Sequence, residues 1–207
     1  SLTVTSSGSV NATLRGGNDT VNAQGGVSEA MNLQLGAGDD TVNIGSNYLY
    51  SYDTITGDIG TDTITATNLD FLSSGVAFGG TTGVEKVSVG QGNASFSGVA
   101  TGANTALIND YTFTGNMDSK ISMTELLNNV VIRTSDNGGA ATDFTLGLAT
   151  AGGTANFSSA LSASSEFGVF ETINVGTLNV TTTDIDNNIF SVPTLTLGGS
   201  GVFLGDA

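Results

Sequence analysis

Asp19, Asp40 and Asp62 are the residues of this chain whose type and spacing could do chemistry. Each follows a glycine-rich stretch and stands two residues before a large apolar side chain. The three copies are Leu14-Arg15-Gly16-Gly17-Asn18-Asp19-Thr20-Val21, Leu35-Gly36-Ala37-Gly38-Asp39-Asp40-Thr41-Val42 and Gly57-Asp58-Ile59-Gly60-Thr61-Asp62-Thr63-Ile64. All approximate the nonapeptide pattern G-G-x-G-x-D-x-U-x, in which U is large and apolar. The aspartates are 21 and 22 residues apart. Two nonapeptides, about 18 residues, make one coil of a parallel β-solenoid. A coil with a few extra residues would therefore stack the three carboxylates on one edge. Stacked carboxylates repel unless a cation lies between them. Calcium takes about six to eight oxygens at roughly 2.3–2.6 Å, and glycine's tolerance of positive φ lets a turn aim several carbonyls at one point.

This spacing predicts two calcium ions. The first would lie between Asp19 and Asp40, with carbonyls from Arg15, Gly17, Gly36 and Gly38. The second would lie between Asp40 and Asp62, with carbonyls from Gly36, Gly38, Asp58 and Gly60. Asp40 would serve both. The copies depart from the pattern: Leu14 and Leu35 replace the first glycine, and Arg15 and Asp58 replace the second. The Arg15 side chain would have to point away from the ion. The competing reading is three ordinary β-turns, since Asn, Asp and Gly dominate turns. Asp53 lies nine residues before Asp62, half a coil, and lacks preceding glycines. It is expected on the opposite edge, in a structural role. Gly138–Asp143 is a weaker echo, with Thr145 where the apolar anchor should stand. Asp184 and Asp186, beside Asn187 and Asn188, form either a metal loop or a solvated turn.

The elements that must hold these turns are strands. Thirty glycines and abundant Thr, Ser, Asn and Val favour strands and tight turns over helices. Met31, Leu33 and Leu35 alternate, as do Val42 with Ile44 and Ile64 with Ala66. Further strands are expected at Ala94–Ser97, Tyr111–Thr114, Val130–Arg133, Phe144–Leu148, Leu178–Thr182 and Thr194–Leu197. One short helix is expected from Asp118 or Ser119 to about Asn129, burying Ile121, Met123, Leu126 and Leu127. The expected fold is all-β: a parallel β-solenoid over residues 1–70 that binds calcium, with a less regular β-rich continuation, solenoid or sandwich-like, over residues 71–207.

Composition removes several functions. With four basic residues against nineteen acidic ones, the net charge is −15. Nucleic acid is excluded, because its phosphates need Lys and Arg, and an acidic surface suits divalent cations. There is no Cys and no His. That removes thiol nucleophiles, His-based triads and Cys/His zinc sites. No apolar run approaches the ~20 residues of a transmembrane segment. The chain opens on Ser1 rather than Met, as expected of a processed product or of part of a longer protein. No nucleophile has a base beside it, so no enzyme is expected; Glu85 and Glu171 are read as strand caps or ion-pair partners.

The Gly-Asp turns resemble RTX repeats, which form calcium-binding parallel β-rolls. The order of Leu35–Asn43, Gly57–Thr65, Phe78-Gly79-Gly80 and Gly83–Val89, with its echo at Phe170–Val175, is similar to surface-layer (S-layer) proteins of the Caulobacter type. The resemblance implies a secreted structural protein of the bacterial cell surface, exported by type I secretion. It would self-assemble with copies of itself into a calcium-dependent lattice. It also implies that lipopolysaccharide anchoring lies in a region outside this chain. The alternative is a calcium-binding module of a secreted RTX adhesin. An ice-binding face built on Thr54-Ile55-Thr56 and Thr63-Ile64-Thr65 would need more repeats than these two.

Overall fold

Alternation of buried and exposed side chains at nearly constant chain spacing dictates the architecture. The computed structural model describes residues 1–5, 8–23, 30–45, 49–50, 52–67, 78–90, 96–97, 107–114, 121–134, 142–159, 167–182, 185–188, 194–198 and 202–204. Among the described residues the chain is all-β and contains no helix, so none is long and apolar enough to cross a membrane. Every strand pairing is parallel. The protein is a parallel β-solenoid.

One face is a ten-stranded sheet. Its strands, in spatial and chain order, are Leu2–Val4, Thr20–Ala23, Thr41–Gly45, Thr63–Ala66, Lys86–Val89, Asp110–Phe113, Val130–Thr134, Gly153–Ser159, Val175–Thr182 and Thr194–Gly198. The intervening strands cross to the opposite face. There Val10–Thr13, Met31–Gln34, Thr54–Thr56 and Thr81–Thr82 form one sheet. Phe96–Ser97, Ile121–Leu126, Thr142–Leu148 and Phe167–Ile173 form a second, and Ile185–Asn188 pairs with Val202–Leu204. The ten-stranded sheet runs without a break past residue 70, whereas the opposite face is divided after Thr82. The strands expected from the sequence lie within or overlap these spans.

Because coils stack in register, like residues form columns. Val21, Val42, Ile64, Val87, Tyr111, Ile132, Phe157 and Val180 align one above another, and each is at most 2% exposed. Leu33 and Ile55 face them from the opposite sheet. Burying each such side chain contributes about 1.5–3 kcal/mol, and together they form one continuous core from Val4 to Val180. The outward positions carry polar ladders instead, such as Asn43 Nδ2 donating to Asn22 Oδ1.

The helix expected between residues 118 and 129 is not formed. Residues 118–120 lie outside the described set, and Ile121–Leu126 is a strand paired with Phe96–Ser97 and Thr142–Leu148. Its register shifts between Met123 and Leu126, and both residues are fully buried. A bulge adds a residue to one strand and redirects the side chains that follow. It thereby turns two residues three apart to the same side, and that spacing imitates a helix in the sequence.

Ile64 lies within the apolar column, between Val42 and Val87, and is fully buried. Ile64→Ala is expected to cost about 2–5 kcal/mol, as large-to-small core changes do, read by urea denaturation. A cost below about 0.5 kcal/mol would contradict the filled core.

Candidate functional site

The three Gly-Asp turns occupy one edge of the solenoid, immediately before the strands at Thr20, Thr41 and Thr63, which pair in register. The structure therefore brings Asp19, Asp40 and Asp62 into one stack. Bridges join Gly16 to Ala37 and Ala37 to Ile59, so the turns themselves stack as extensions of the sheet. Gly38 and Gly60 have φ of 140° and 151°, and a Cβ on either would collide with the carbonyl of the glycine one coil earlier. Only glycine fits there. Asp58 takes the place of Gly36 with φ of 71°, against 95° for the glycine. Aspartate is among the few residues that tolerate this left-handed conformation, so that departure from the repeat preserves the backbone. Arg15 is exposed, with its side chain outside the buried turn interior.

The turns grip one another through their side chains. Asp40 Oδ1 accepts the Asp19 N–H at 2.6 Å, and Asp62 Oδ1 accepts the Asp40 N–H at 2.9 Å. These bonds reach back one coil. The preceding residues reach forward: Asn18 Oδ1 accepts the Asp39 N–H at 3.1 Å, and Asp39 Oδ1 accepts the Thr61 N–H at 2.9 Å. Glu85 continues the backward series, with Oε2 accepting the Asp62 N–H at 2.9 Å. From the sequence Glu85 is expected only as a strand cap or ion-pair partner; its signal is a position 23 residues beyond Asp62, just ahead of an alternating strand. The fourth turn is shorter. Thr56 pairs with Thr82 and Thr63 with Lys86, so three fewer residues connect the sheets, and the buried Val84 packs into the core.

Asp40 is 1% exposed and Asp62 is fully buried. One oxygen of each takes a backbone N–H, while Asp40 Oδ2 and Asp62 Oδ2 have no hydrogen-bond partner among the described residues. Asp53 supplies the contrast. It is 4% exposed on the opposite edge, where Oδ1 accepts the Met31 N–H at 2.8 Å and Oδ2 the Tyr50 N–H at 2.7 Å. A buried aspartate with a purely architectural role thus has both oxygens satisfied here. Asp19 is less buried, and its Oδ1 lies 3.5 Å from the Ser1 ammonium.

Charge makes the orphaned oxygens costly. Two unit charges about 4 Å apart repel by roughly 4 kcal/mol at an effective dielectric of 20. Burial pushes the Asp62 carboxyl up from 3.8 to about 6; the charges of Asp40, Glu85 and Asp39 add to the rise, and the Asp40 N–H opposes it. Such a carboxyl seeks a proton or a cation. The residues fit calcium in kind, being carboxylate and backbone oxygens on glycine turns. The carbonyls of Arg15 and Gly36 already accept the Ala37 and Ile59 N–H groups at 3.3 Å, and each retains a second lone pair. Among the described residues no three acidic side chains form a ready-made cluster, so an ion would draw on the backbone. Gly138–Ala141 and Asp184 lie outside the described residues; Asp143 and Asp186 lie on strands of the opposite face. Comparison with protein-family models, with curated proteins and with solved structures finds no match.

The raised Asp62 value has a sign. Without metal, the folded state holds this proton more tightly than the unfolded chain does. Its contribution to stability is therefore greatest below pH 4 and falls as pH rises toward 6. In chelator, wild type minus Asp62→Asn is expected to show that loss between pH 4 and 6 in urea melts. A difference that is flat with pH would contradict it.

Proposed function

We propose that this chain is a structural segment of a bacterial surface layer, a β-solenoid whose Gly-Asp edge is stabilised by calcium. The observation that carries the reading is the pair of buried, unpartnered oxygens on Asp40 and Asp62, in consecutive coils, in contrast to Asp53 on the opposite edge, whose oxygens are both bonded. A divalent ion would neutralise the stack and take up those oxygens. No such arrangement exists in the unfolded chain, so ion binding would add directly to folding free energy. A chain of this kind would be less stable at low calcium and gain stability where calcium is plentiful. A rigid rod with regular polar faces suits assembly with copies of itself, and the resemblance of the turns and of Gly83–Val89 to S-layer proteins supports that use.

The test is a thermal melt followed by circular dichroism, on metal-stripped protein titrated with calcium. A saturable rise in Tm at about 10⁻⁴–10⁻³ M calcium, the range of extracellular modules, is expected. Magnesium should substitute poorly, because it demands stricter geometry and sheds water reluctantly. Equal rescue by magnesium would reduce the effect to charge screening, and no response to either ion would leave the turns as turns. In calcium, Asp40→Ala should lower Tm more than Asp19→Ala, because Asp40 is shared between ions; equal losses would remove the sharing. Electron microscopy of the calcium-loaded full-length protein then separates a lattice from the isolated rods of an adhesin.

A further inference from the structure

The joint between the third and fourth coils is built differently from the two before it. Five residues ahead of the aspartate, the second turn carries the buried Leu35, whereas the third carries Gly57. A Cβ built on Gly57 would overlap both Asp62 Oδ2 and the carbonyl oxygen of Gly83. Those two oxygens therefore converge on the space that a side chain would fill. Asp62 Oδ1 is turned toward the second coil, where it accepts the Asp40 N–H. Oδ2 is the atom at the Gly57 cradle, buried and without a partner. Glu85 brings a second carboxylate to the same joint through its bond to the Asp62 N–H, and its side chain is only half-buried.

We infer that this joint binds a divalent cation, held by Asp62 Oδ2, the Gly83 carbonyl oxygen and the Glu85 carboxylate. Two carboxylates balance a double positive charge, and all three ligands are hard oxygens, which suit calcium or magnesium rather than zinc or copper. Water entering beside Glu85 completes the shell. The site lies beyond the two that lie between Gly-Asp turns, and Asp62 bridges the third coil to both neighbours. It also answers a local need. The forward-reaching bonds of Asn18 and Asp39 stop at Thr61, whose side chain carries no carboxylate or amide. An ion at this joint replaces the missing grip. The inference rests on the calcium half of the function proposed above and is independent of the surface-layer half.

The experiment is calorimetric titration of calcium into the metal-stripped full chain, comparing wild type, Glu85→Gln and the double variant Asp19→Asn/Asp40→Asn. Glu85→Gln keeps the length of the side chain and an oxygen to accept the Asp62 N–H, and circular dichroism confirms that each variant is folded. Glu85→Gln is expected to bind one ion fewer, or to bind one class at least tenfold more weakly. The double variant is expected to keep that class. If Glu85→Gln matches wild type in number and affinity while the double variant loses all binding, the joint site is overturned and the sites between Gly-Asp turns stand. If wild type binds no calcium, both are overturned.

Discussion

Parallel register is the constraint on which the rest of this structure depends. Once each strand lies directly over its equivalent one coil earlier, every residue type is repeated along a column. For apolar residues the repetition is favourable. Val21, Val42, Ile64 and Val87 cover one another and are shut off from solvent. For charged residues the same repetition is unfavourable. Asp40 and Asp62 are stacked by the same pairing that stacks Val42 and Ile64, and the chain cannot have one without the other. The chemistry of the Gly-Asp edge is the answer to a problem that the core creates.

The first part of that answer is the pairing of carboxylates with backbone N–H groups. Side-chain oxygens of neighbouring residues reach in opposite directions, backward from Asp40 and Asp62 and forward from Asn18 and Asp39. Bonds from an N–H to an ionised acceptor are stronger than neutral ones, so they offset part of the repulsion. They also use half of each buried carboxylate and no more. Asp53, with both oxygens bonded and no like charge stacked on it among the described strands, shows what full satisfaction looks like in this fold. The difference between Asp53 and Asp62 marks the Gly-Asp edge as a place for an ion or a proton.

Much of this was legible in the residues themselves. Period-two alternation at Met31–Leu35 and the 21- and 22-residue spacing of the aspartates specify strands, coils and a stacked edge, because both reflect the single repeat of a parallel solenoid. The opposite-edge position of Asp53 followed from half that repeat. What was not legible depended on local breaks in the repeat. The bulge near Met123 produced a helical spacing inside a strand. The shortened fourth turn hid Glu85 as a member of the carboxylate series, because of the glycine signature only Gly83 remains, two residues ahead as in the other copies. The direction in which each oxygen points was also out of reach, since it depends on side-chain torsions that no spacing encodes.

The uneven bonding of successive joints has a mechanical consequence. Tension along the axis of a solenoid passes from coil to coil in series, so the weakest joint governs the whole. At the Gly-Asp edge the first two joints each carry a backward and a forward side-chain bond, whereas the third carries the Glu85 bond alone. Under load, with no ion bound, the third of these three joints would be the first to part at this edge. The edge that looks like a uniform ladder is in that sense a spring with a built-in fuse, placed where the repeat changes length.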